Sequence, residues 1–412
     1  MISSTDMGEK ETNKFRSRFA AQRVAIAGIG MTKLSKESGK TEQQLAVEAI
    51  LTAVEDSGLD LQSIDGIVKY SADSTKESTL VDMLGLSNAR FFAEVGYGGT
   101  ATVGVIALAQ AAIASGQARC VVCYRAMNGR SGMRYGRGER MLKSKSDDIA
   151  IADGSRTFGS ALTGPFGLLS PSQLMGLWAR RYAYEFGFDD ETLSGGLAAV
   201  AMTQRAYAAN NPHAMLRDRP LSLEDYQSSR MIAEPLRLPD FCLEVDGGAA
   251  ILVADPDWAR GRVRKLVPVL AVDRNLERGG DTPTLYHERM DRLVSERARR
   301  IFSLADVSPE DVDVAAIYDA TSVMVLMALE DYGFCGRGEA IEFARTGQLG
   351  IQGKLPTNPH GGLLSEGYLH GINNLLEVVR QMRGESVNQV AGAQVGFYTV
   401  GNGSVLLGDA DA

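Results

Sequence analysis

The sequence predicts an α/β protein built from two similar halves. Two observations carry this reading. A strand–helix–turn–strand unit near the N-terminus recurs, in the same order, after residue 263. A glycine-rich lead into a helix, followed by an apolar strand, also occurs twice. Strands alternating with helices favour mixed sheets covered on both faces.

Val24-Ala-Ile-Ala-Gly-Ile-Gly30 reads as the opening strand. Thr41-Glu-Gln-Gln44 fits a capping box, in which a Thr hydroxyl and a Gln amide satisfy each other's orphan backbone N–H groups. The helix it starts shows an apolar stripe at Leu45, Ala49, Ile50, Ala53 and Val54, and Gly58 ends it. Residues 59–68 form a turn into a second strand. In the second half, Val267-Pro-Val-Leu-Ala-Val272 is a strand, 290–304 is helical, and 307–317 repeats the turn and strand. Superposing Ile64-Asp65 on Val312-Asp313 sets Tyr70 opposite Tyr318. Gly96-Tyr-Gly-Gly-Thr100 leads a helix over 101–115, ended by Gly116; Pro359-His-Gly-Gly362 and Gly367-Tyr368 lead one over 372–382, ended by Gly384. The strands after them are 120–124, and 390–398 running on to Val405-Leu-Leu407. The expected division is a disordered tail over 1–22, a first half over 23–125 completed by 240–262, a loop and helical insert over 126–239, and a second half over 263–412. The insert opens with a Gly/Arg/Ser-rich loop up to Gly164 and continues with helices over 173–186 and 195–210. Inserts on a rigid scaffold often form binding walls.

The composition is that of an ordinary globular chain, with 44% apolar and 23% charged residues in 412. A net charge of −8 argues against general nucleic-acid binding. No apolar run approaches the roughly 18 residues of a membrane span, and the polar start lacks a signal core. The expected location is the cytoplasm. Cys120 and Cys123 have half-zinc-site spacing, but residues three apart on a strand face opposite ways and cannot share a metal. No His, Cys or carboxylate constellation with ligand spacing is visible, so no metal is expected. The run from Arg125 through Arg130, Arg134, Arg137, Arg140, Lys143 and Lys145 holds only Glu139 against it. It reads as a docking patch for ligand phosphates or an acidic partner face, or as a solvated loop. Gly98, Gly99 and Gly401 let main-chain amides approach a ligand closely, or serve tight packing.

The segment Asn358-Pro-His-Gly-Gly-Leu-Leu-Ser-Glu-Gly-Tyr-Leu-His-Gly-Ile372 resembles the catalytic segment of thiolases, which carry Asn-Pro-x-Gly-Gly and then Gly-His-Pro-x-Gly. Cys242-Leu-Glu-Val-Asp-Gly-Gly-Ala249, Ala208-Ala-Asn-Asn-Pro-His-Ala214 and Gly401-Asn-Gly403 add to the likeness, in family order from about Val24 to Asp409. The chain resembles the thiolase superfamily, in its lipid-transfer, sterol-carrier-type branch. The resemblance implies a five-layered α-β-α-β-α fold, a homodimer, and CoA as the ligand whose phosphates Arg125, Arg130 and Arg134 would meet.

The departures matter more. A thiolase needs a cysteine at the N-terminus of the helix after its third strand, where the helix lowers the thiol pKa. Here that place is Tyr97-Gly98-Gly99-Thr100, and no cysteine lies near Gly401-Asn-Gly403 either. The family's Asn or His before an acidic residue becomes Tyr318-Asp319, and the Gly-His-Pro histidine becomes Tyr368. In the family these two positions hold a thioester oxygen as enolate charge develops. Two phenols there can still donate to an oxyanion, or take a proton if their pKa falls from about 10; such donors are worth about 3–4 kcal/mol each. An acyl-CoA enolate without a nucleophile implies aldol or retro-aldol chemistry, with the tyrosines as base and acid. This pattern is similar to the thiolase-like aldolases of bacterial steroid degradation. The resemblance therefore implies retro-aldol cleavage of a 17-hydroxy-3-oxo-steroid 20-carboxyl-CoA to androstenedione and propionyl-CoA. It implies a small zinc-ribbon/OB-type partner protein and no cofactor beyond the CoA of the substrate. His360, beside the glycine pair, is a further catalytic candidate. Asn358, Asp319 and Tyr398 are candidates around the substrate, set against plain core packing and a buried hydrogen-bonded carboxylate; His370 is expected to turn into the helix start. The alternatives are a true thiolase or acyltransferase, and a non-catalytic acyl-CoA- or lipid-binding subunit.

Overall fold

A computed structural model describes residues 24–96, 98–132, 134, 164–168, 170–274, 295–401 and 403–410. The expected tail, most of the Gly/Arg/Ser-rich stretch, the basic residues beyond Arg134, Tyr97, Asn402 and residues 290–294 lie outside them. The strands are β1 (Val24–Met31), β2 (Gly66–Tyr70), β3 (Phe91–Val95), β4 (Cys120–Asn128), β5 (Met231–Ala233), β6 (Leu236–Arg237), β7 (Asp246–Ala254), β8 (Val267–Arg274), β9 (Val314–Ile317), β10 (Val395–Val400) and β11 (Gly403–Gly408). The helices of eight or more residues are α1 (Glu42–Ser57), α2 (Glu77–Leu84), α3 (Ala101–Ala114), α4 (Pro171–Phe186), α5 (Asp190–Ala208), α6 (Ser295–Ala305), α7 (Ser322–Asp331) and α8 (Ile372–Met382).

The sheet order is β3-β2-β4-β7-β1-β8-β11-β10-β9. It reads the same inward from either side once β3 is set apart. β2 and β4 are parallel, as are β9 and β10, and the ladders nearer the centre are antiparallel in both halves. The halves meet where β1 pairs with β8 through Val24–Val269, Ala25–Pro268 and Ile26–Val267. The repeat seen in sequence is therefore a repeat of topology, and Tyr70 and Tyr318 end equivalent strands.

Strand alternation sorts the core into three apolar layers. Val121, Cys123, Tyr398, Val405 and Leu407 face an inner layer. Cys120, Val122 and Tyr124 face an outer layer with Leu45, Ala49 and Ile50 of α1. Phe397 and Leu406 face the other outer layer, with Phe302, Val325 and Leu326. Cys120 and Cys123 thus fall in different layers, as period-two geometry requires. Helices α3 and α8 touch strands of both halves and form the middle layer. That explains why α3 is apolar nearly all round: a helix packed against strands of both halves of the sheet keeps little solvent face, and Ala111 is its exposed residue.

Local chemistry sets the element ends. Thr41 and Gln44 make the expected capping box, at 3.2 and 2.9 Å, and Gly58 closes α1 at φ 77°. Two expected boundaries shift. Helix α5 begins at Asp190, not 195, because the Asp189 side chain accepts from the Thr192 N–H; Gly195 and Gly196 lie inside it, against Arg345 and Ile341. Strand β10 begins at Val395, not 390: the side chains of Gln381 and Gln389 bond the Val390 N–H and carbonyl instead of a neighbouring strand. No described helix is long and apolar enough to cross a membrane.

Candidate active site

Tyr318 directly follows β9. Its N–H donates to the Thr399 carbonyl at 2.9 Å. The preceding residue is clamped from the side: Ile317 N–H donates to Asn358 Oδ1 at 2.8 Å, and Asn358 Nδ2 donates to Ile317 O at 2.9 Å. Asn358 adopts φ 54° to do this. Its amide is used in holding the strand end that aims Tyr318.

Tyr368 stands on the loop between the short helical turn Gly362–Ser365 and α8, and its N–H donates to Leu243 O at 2.8 Å. Three residues around it have positive φ: Gly367 at 149°, His370 at 54° and Gly371 at 83°. The two phenols meet, with oxygens 2.8 Å apart and ring planes at 66°. Tyr318 is 8% and Tyr368 9% exposed, so the pair sits at the inner edge of the solvent-reachable volume.

Glycine is required on both sides of the pair. A Cβ on Gly99 would lie 2.6–2.7 Å from Cε2, Cζ and OH of Tyr318; one on Gly371 would lie 2.7 Å from Tyr318 Cδ2 and from the Tyr398 hydroxyl. The turn Gly98–Thr100 thus brings the N-terminus of α3, with its positive dipole end, against the Tyr318 phenol. Gly401, at φ 48°, lies beside Thr100, with Thr100 Cγ2 3.3 Å from its Cβ position. Tyr398, on β10, is fully buried next to the pair. Tyr318, Tyr368, Tyr398, Gly98, Gly99 and Gly401 are therefore brought together.

Burial, reinforced by Tyr368, Cys242 and Tyr398, holds the Tyr318 phenol well above its ordinary value. Burial does the same to Tyr398. Both are protonated phenols at neutral pH, so the lowered pKa that a resting phenolate base would need is not what the site provides. The nearby Cys242 thiol is also pushed up by burial and by Asp319 and Glu244, which disfavours the thiolate that a nucleophile needs.

Asp319 is fully buried behind Tyr318. It accepts from Leu363 N and Leu364 N at 3.1 Å and from Asn374 Nδ2 at 3.0 Å, anchoring the turn that leads to Tyr368. Burial raises its carboxyl to about 6 despite these bonds. His360 is not brought to the phenols. Neither ring nitrogen hydrogen-bonds a phenol, and Nε2 lies 3.8 Å from Glu366 Oε2. Burial pushes its imidazole down to about 4, against the pull of Glu377.

The expected phosphate-binding arginines separate. Arg125 is corrected outright: at 1% exposure, with NH1 3.3 Å from Asp73 Oδ2, it is a core residue that cannot meet a solvent-borne phosphate. Arg134 is partly exposed and pairs with Glu244, whose backbone bridges to Tyr368. Arg130 donates its backbone N–H to Asp246 at 3.0 Å. His370, expected to turn away, instead stands at 89° to Tyr368 with ring centroids 5.2 Å apart. Tyr70 and Thr102 were missed by sequence reasoning. They share a hydrogen bond at 2.7 Å, and Thr102 donates to the His370 carbonyl at 3.1 Å. The repeat offered the signal, since it aligns Tyr70 with Tyr318.

Comparison with known proteins identifies the family of this fold. Residues 286–410 match the family model "Thiolase C-terminal domain-like". The chain is 40% identical to the steroid side-chain-cleaving aldolase of Thermomonospora curvata, over 92% of this chain and 95% of that protein. It is 38% identical to the 17-hydroxy-3-oxo-4-pregnene-20-carboxyl-CoA lyase of Mycobacterium tuberculosis, over 92% and 96%. The solved structure of an Ltp2-ChsH2(DUF35) aldolase superposes with a TM-score of 0.85 at 37% identity, covering 95% of this chain and 99% of that one. With this identity over nearly its whole length, the chain belongs to the thiolase superfamily, in the lipid-transfer branch that includes the steroid side-chain-cleaving aldolases.

Proposed function

We propose that this protein is a carbon–carbon lyase that cleaves a β-hydroxyacyl-CoA by a retro-aldol reaction, with a 17-hydroxy-3-oxo-steroid 20-carboxyl-CoA as substrate and androstenedione and propionyl-CoA as products. The observation that carries it is the 2.8 Å contact between the Tyr318 and Tyr368 phenols, packed against Gly99 where a thiolase would place its nucleophile. The two relatives named for steroid side-chain cleavage and carboxyl-CoA lysis support the substrate class.

Two neutral phenols in contact can relay a proton without either becoming a phenolate. In one concerted step the β-hydroxyl gives its proton to one phenol oxygen, that phenol passes its own to the second, and the second delivers its own to the α-carbon. The bond between the hydroxyl-bearing carbon and the α-carbon breaks as this happens, leaving a ketone, and its electron pair, carried with enolate character on the departing acyl-CoA, takes up that proton. Both phenols end neutral. Atoms and charge balance without oxidant, reductant or water, so the reaction needs no cofactor beyond the CoA of the substrate. Enolate charge on the thioester oxygen falls to the backbone amides ahead of α3, which are worth about 3–4 kcal/mol each when preorganised. Tyr398 and Gly371 close the inner wall, and Asn358 and Asp319 hold the backbone that aims the phenols. The protonated Cys242 disfavours a covalent acyl-transfer reading.

We further propose that the chain acts in the cytoplasm as a homodimer, in complex with a small DUF35-type partner carrying a zinc ribbon and an OB-type domain; the Ltp2-ChsH2(DUF35) aldolase supports the partner class. The test is to co-express the chain with such a protein and follow steroid-CoA esters by mass spectrometry. Equimolar 17-ketone and propionyl-CoA are expected. Tight ester binding with no cleavage would show a binding subunit, and a thiol reagent whose labelling tracks inactivation would revive a transferase.

A further inference from the structure

Behind Tyr368 lies a buried ion pair that the reaction itself does not use. Arg125 is 1% and Asp73 3% exposed. Asp73 Oδ2 faces Arg125 NH1 at 3.3 Å and accepts from Ala126 N–H at 2.8 Å; its Oδ1 accepts from Thr75 N–H at 2.9 Å. Arg125 NH1 also donates to the Ala126 carbonyl. The remaining donor of interest, Nε, points at His370 Nδ1 at 3.0 Å. Desolvating two charges costs several kcal/mol unless their partners are in place, and one partner of this cation is the His370 imidazole.

We propose that Arg125, held by Asp73, is a positioning residue that fixes His370 as the neutral Nε2–H tautomer and, through it, holds the Tyr368 phenol in register with Tyr318. A guanidinium can only donate. The Nδ1 atom it meets must therefore carry the lone pair, which leaves the ring proton on Nε2. Other residues also hold His370. Tyr70 stacks on it at 11° and 6.2 Å, Tyr368 stands edge-on at 5.2 Å, and Thr102 holds its carbonyl while the backbone sits at φ 54°. A left-handed backbone at a residue other than glycine costs of order 1–3 kcal/mol and persists only where surroundings over-determine it. Arg125 from β4, Tyr70 from β2 and Tyr368 from its own loop stand against this ring, and Asp73, after β2, lies behind the guanidinium. Lys69 turns away, to the Asp73 and Thr75 carbonyls and Glu94. The Arg125 cation, whose Nε–H donates to Nδ1, disfavours a second proton on that atom.

The inference rests on Tyr368 acting in the reaction, and the two can be told apart. The chain has four histidines, so 15N-histidine spectra of the full-length protein can be assigned with His370→Asn, a residue that accepts positive φ. Wild-type His370 is expected as the Nε2–H tautomer, unchanged from pH 5.5 to 8.5. Finding it charged or protonated at Nδ1 at pH 7 overturns the proposal, whatever the variants do. In the complex, Arg125→Gln should lower kcat on the order of 10- to 100-fold with KM unchanged. It should also add a pH dependence between 5 and 8, as His370 begins to titrate. Adding His370→Asn should remove that dependence, and Arg125→Lys, which keeps the cation, should not show it. A pH profile for Arg125→Gln identical to wild type overturns the proposal. If Tyr368→Phe is fully active, the assignment of the phenol fails instead.

Discussion

The phenol oxygens of Tyr318 and Tyr368 lie 2.8 Å apart although fifty residues separate them in the chain. One comes from a strand end held by Asn358, the other from a loop held by Leu243 and the Asp319-anchored turn. Two independent backbone supports converge on one hydrogen bond, so removing either hydroxyl should stop the reaction while leaving the fold. Tyr318→Phe and Tyr368→Phe should each lower kcat on the order of 100- to 1000-fold, which corresponds to about 3–4 kcal/mol of transition-state stabilisation. Each should cost only about 1 kcal/mol of stability, the net value of a lost hydrogen bond. Product release followed by mass spectrometry, with thermal unfolding alongside, checks both. Wild-type turnover in both variants would remove the pair from the mechanism.

The protonation state of Tyr318 makes a second prediction. Burial holds this phenol well above its ordinary value, so it keeps its proton throughout the neutral range. A relay through neutral phenols then gives a kcat that is flat from pH 6 to 9. A phenolate base would instead give a rate that climbs tenfold per pH unit below its pKa. A kcat profile over that range separates the two, and a rising limb would rule out the relay.

Much of this site was legible because it rests on local chemistry. The Thr41 capping box, the Gly58 cap and the doubled strand–turn unit are short-range signals, and the layered core follows from strand alternation. The placing of Tyr318 and Tyr368 followed from their positions in two motifs. Arg125 was misread because it opens a run of basic residues and so looks like surface. Strand parity held the correction: Cys123 and Met127 face the inner layer, and Arg125 lies between them on the same face. His370 gave no such signal. Its left-handed backbone and its contact with Arg125, 245 residues away, exist only once the halves are packed.

Gly99 offers a steric test of the phenol geometry. A methyl group there would lie 2.6–2.7 Å from three atoms of the Tyr318 ring, and an aromatic ring in a packed core cannot simply bend away. Gly99→Ala should displace the ring, lengthen the phenol contact and lower kcat by about 100-fold, since a shift near 1 Å has that effect on aligned groups. The overpacking should cost about 1–3 kcal/mol of stability. A crystal structure of the variant with an unmoved Tyr318 and full activity would show that the approach of α3 to the phenol has no consequence.

His360 is predicted to act on stability rather than on turnover. Its imidazole is pushed down to about 4 by burial, while an unfolded histidine titrates near 6.5. Between those values the unfolded chain binds a proton that the folded one refuses. The contribution is therefore fully present above about pH 6.5 and is lost progressively as pH falls toward 4. Asp319 runs the other way: its carboxyl is raised to about 6, so the folded state holds a proton that the unfolded state has given up, and stability falls as pH rises from about 4 to 6. The two slopes oppose each other across the same window. His360→Gln removes one of them. The stability difference between wild type and variant should grow in favour of wild type by on the order of 2–3 kcal/mol from pH 4 to 6.5 and stay constant above it. Urea unfolding at several pH values measures this directly, while kcat at pH 7.5 should change less than about fivefold. A stability difference independent of pH would mean that the buried imidazole is charged in the native state. A collapse of kcat would return His360 to the reaction, through a contact with the phenols that the folded chain makes only with substrate bound.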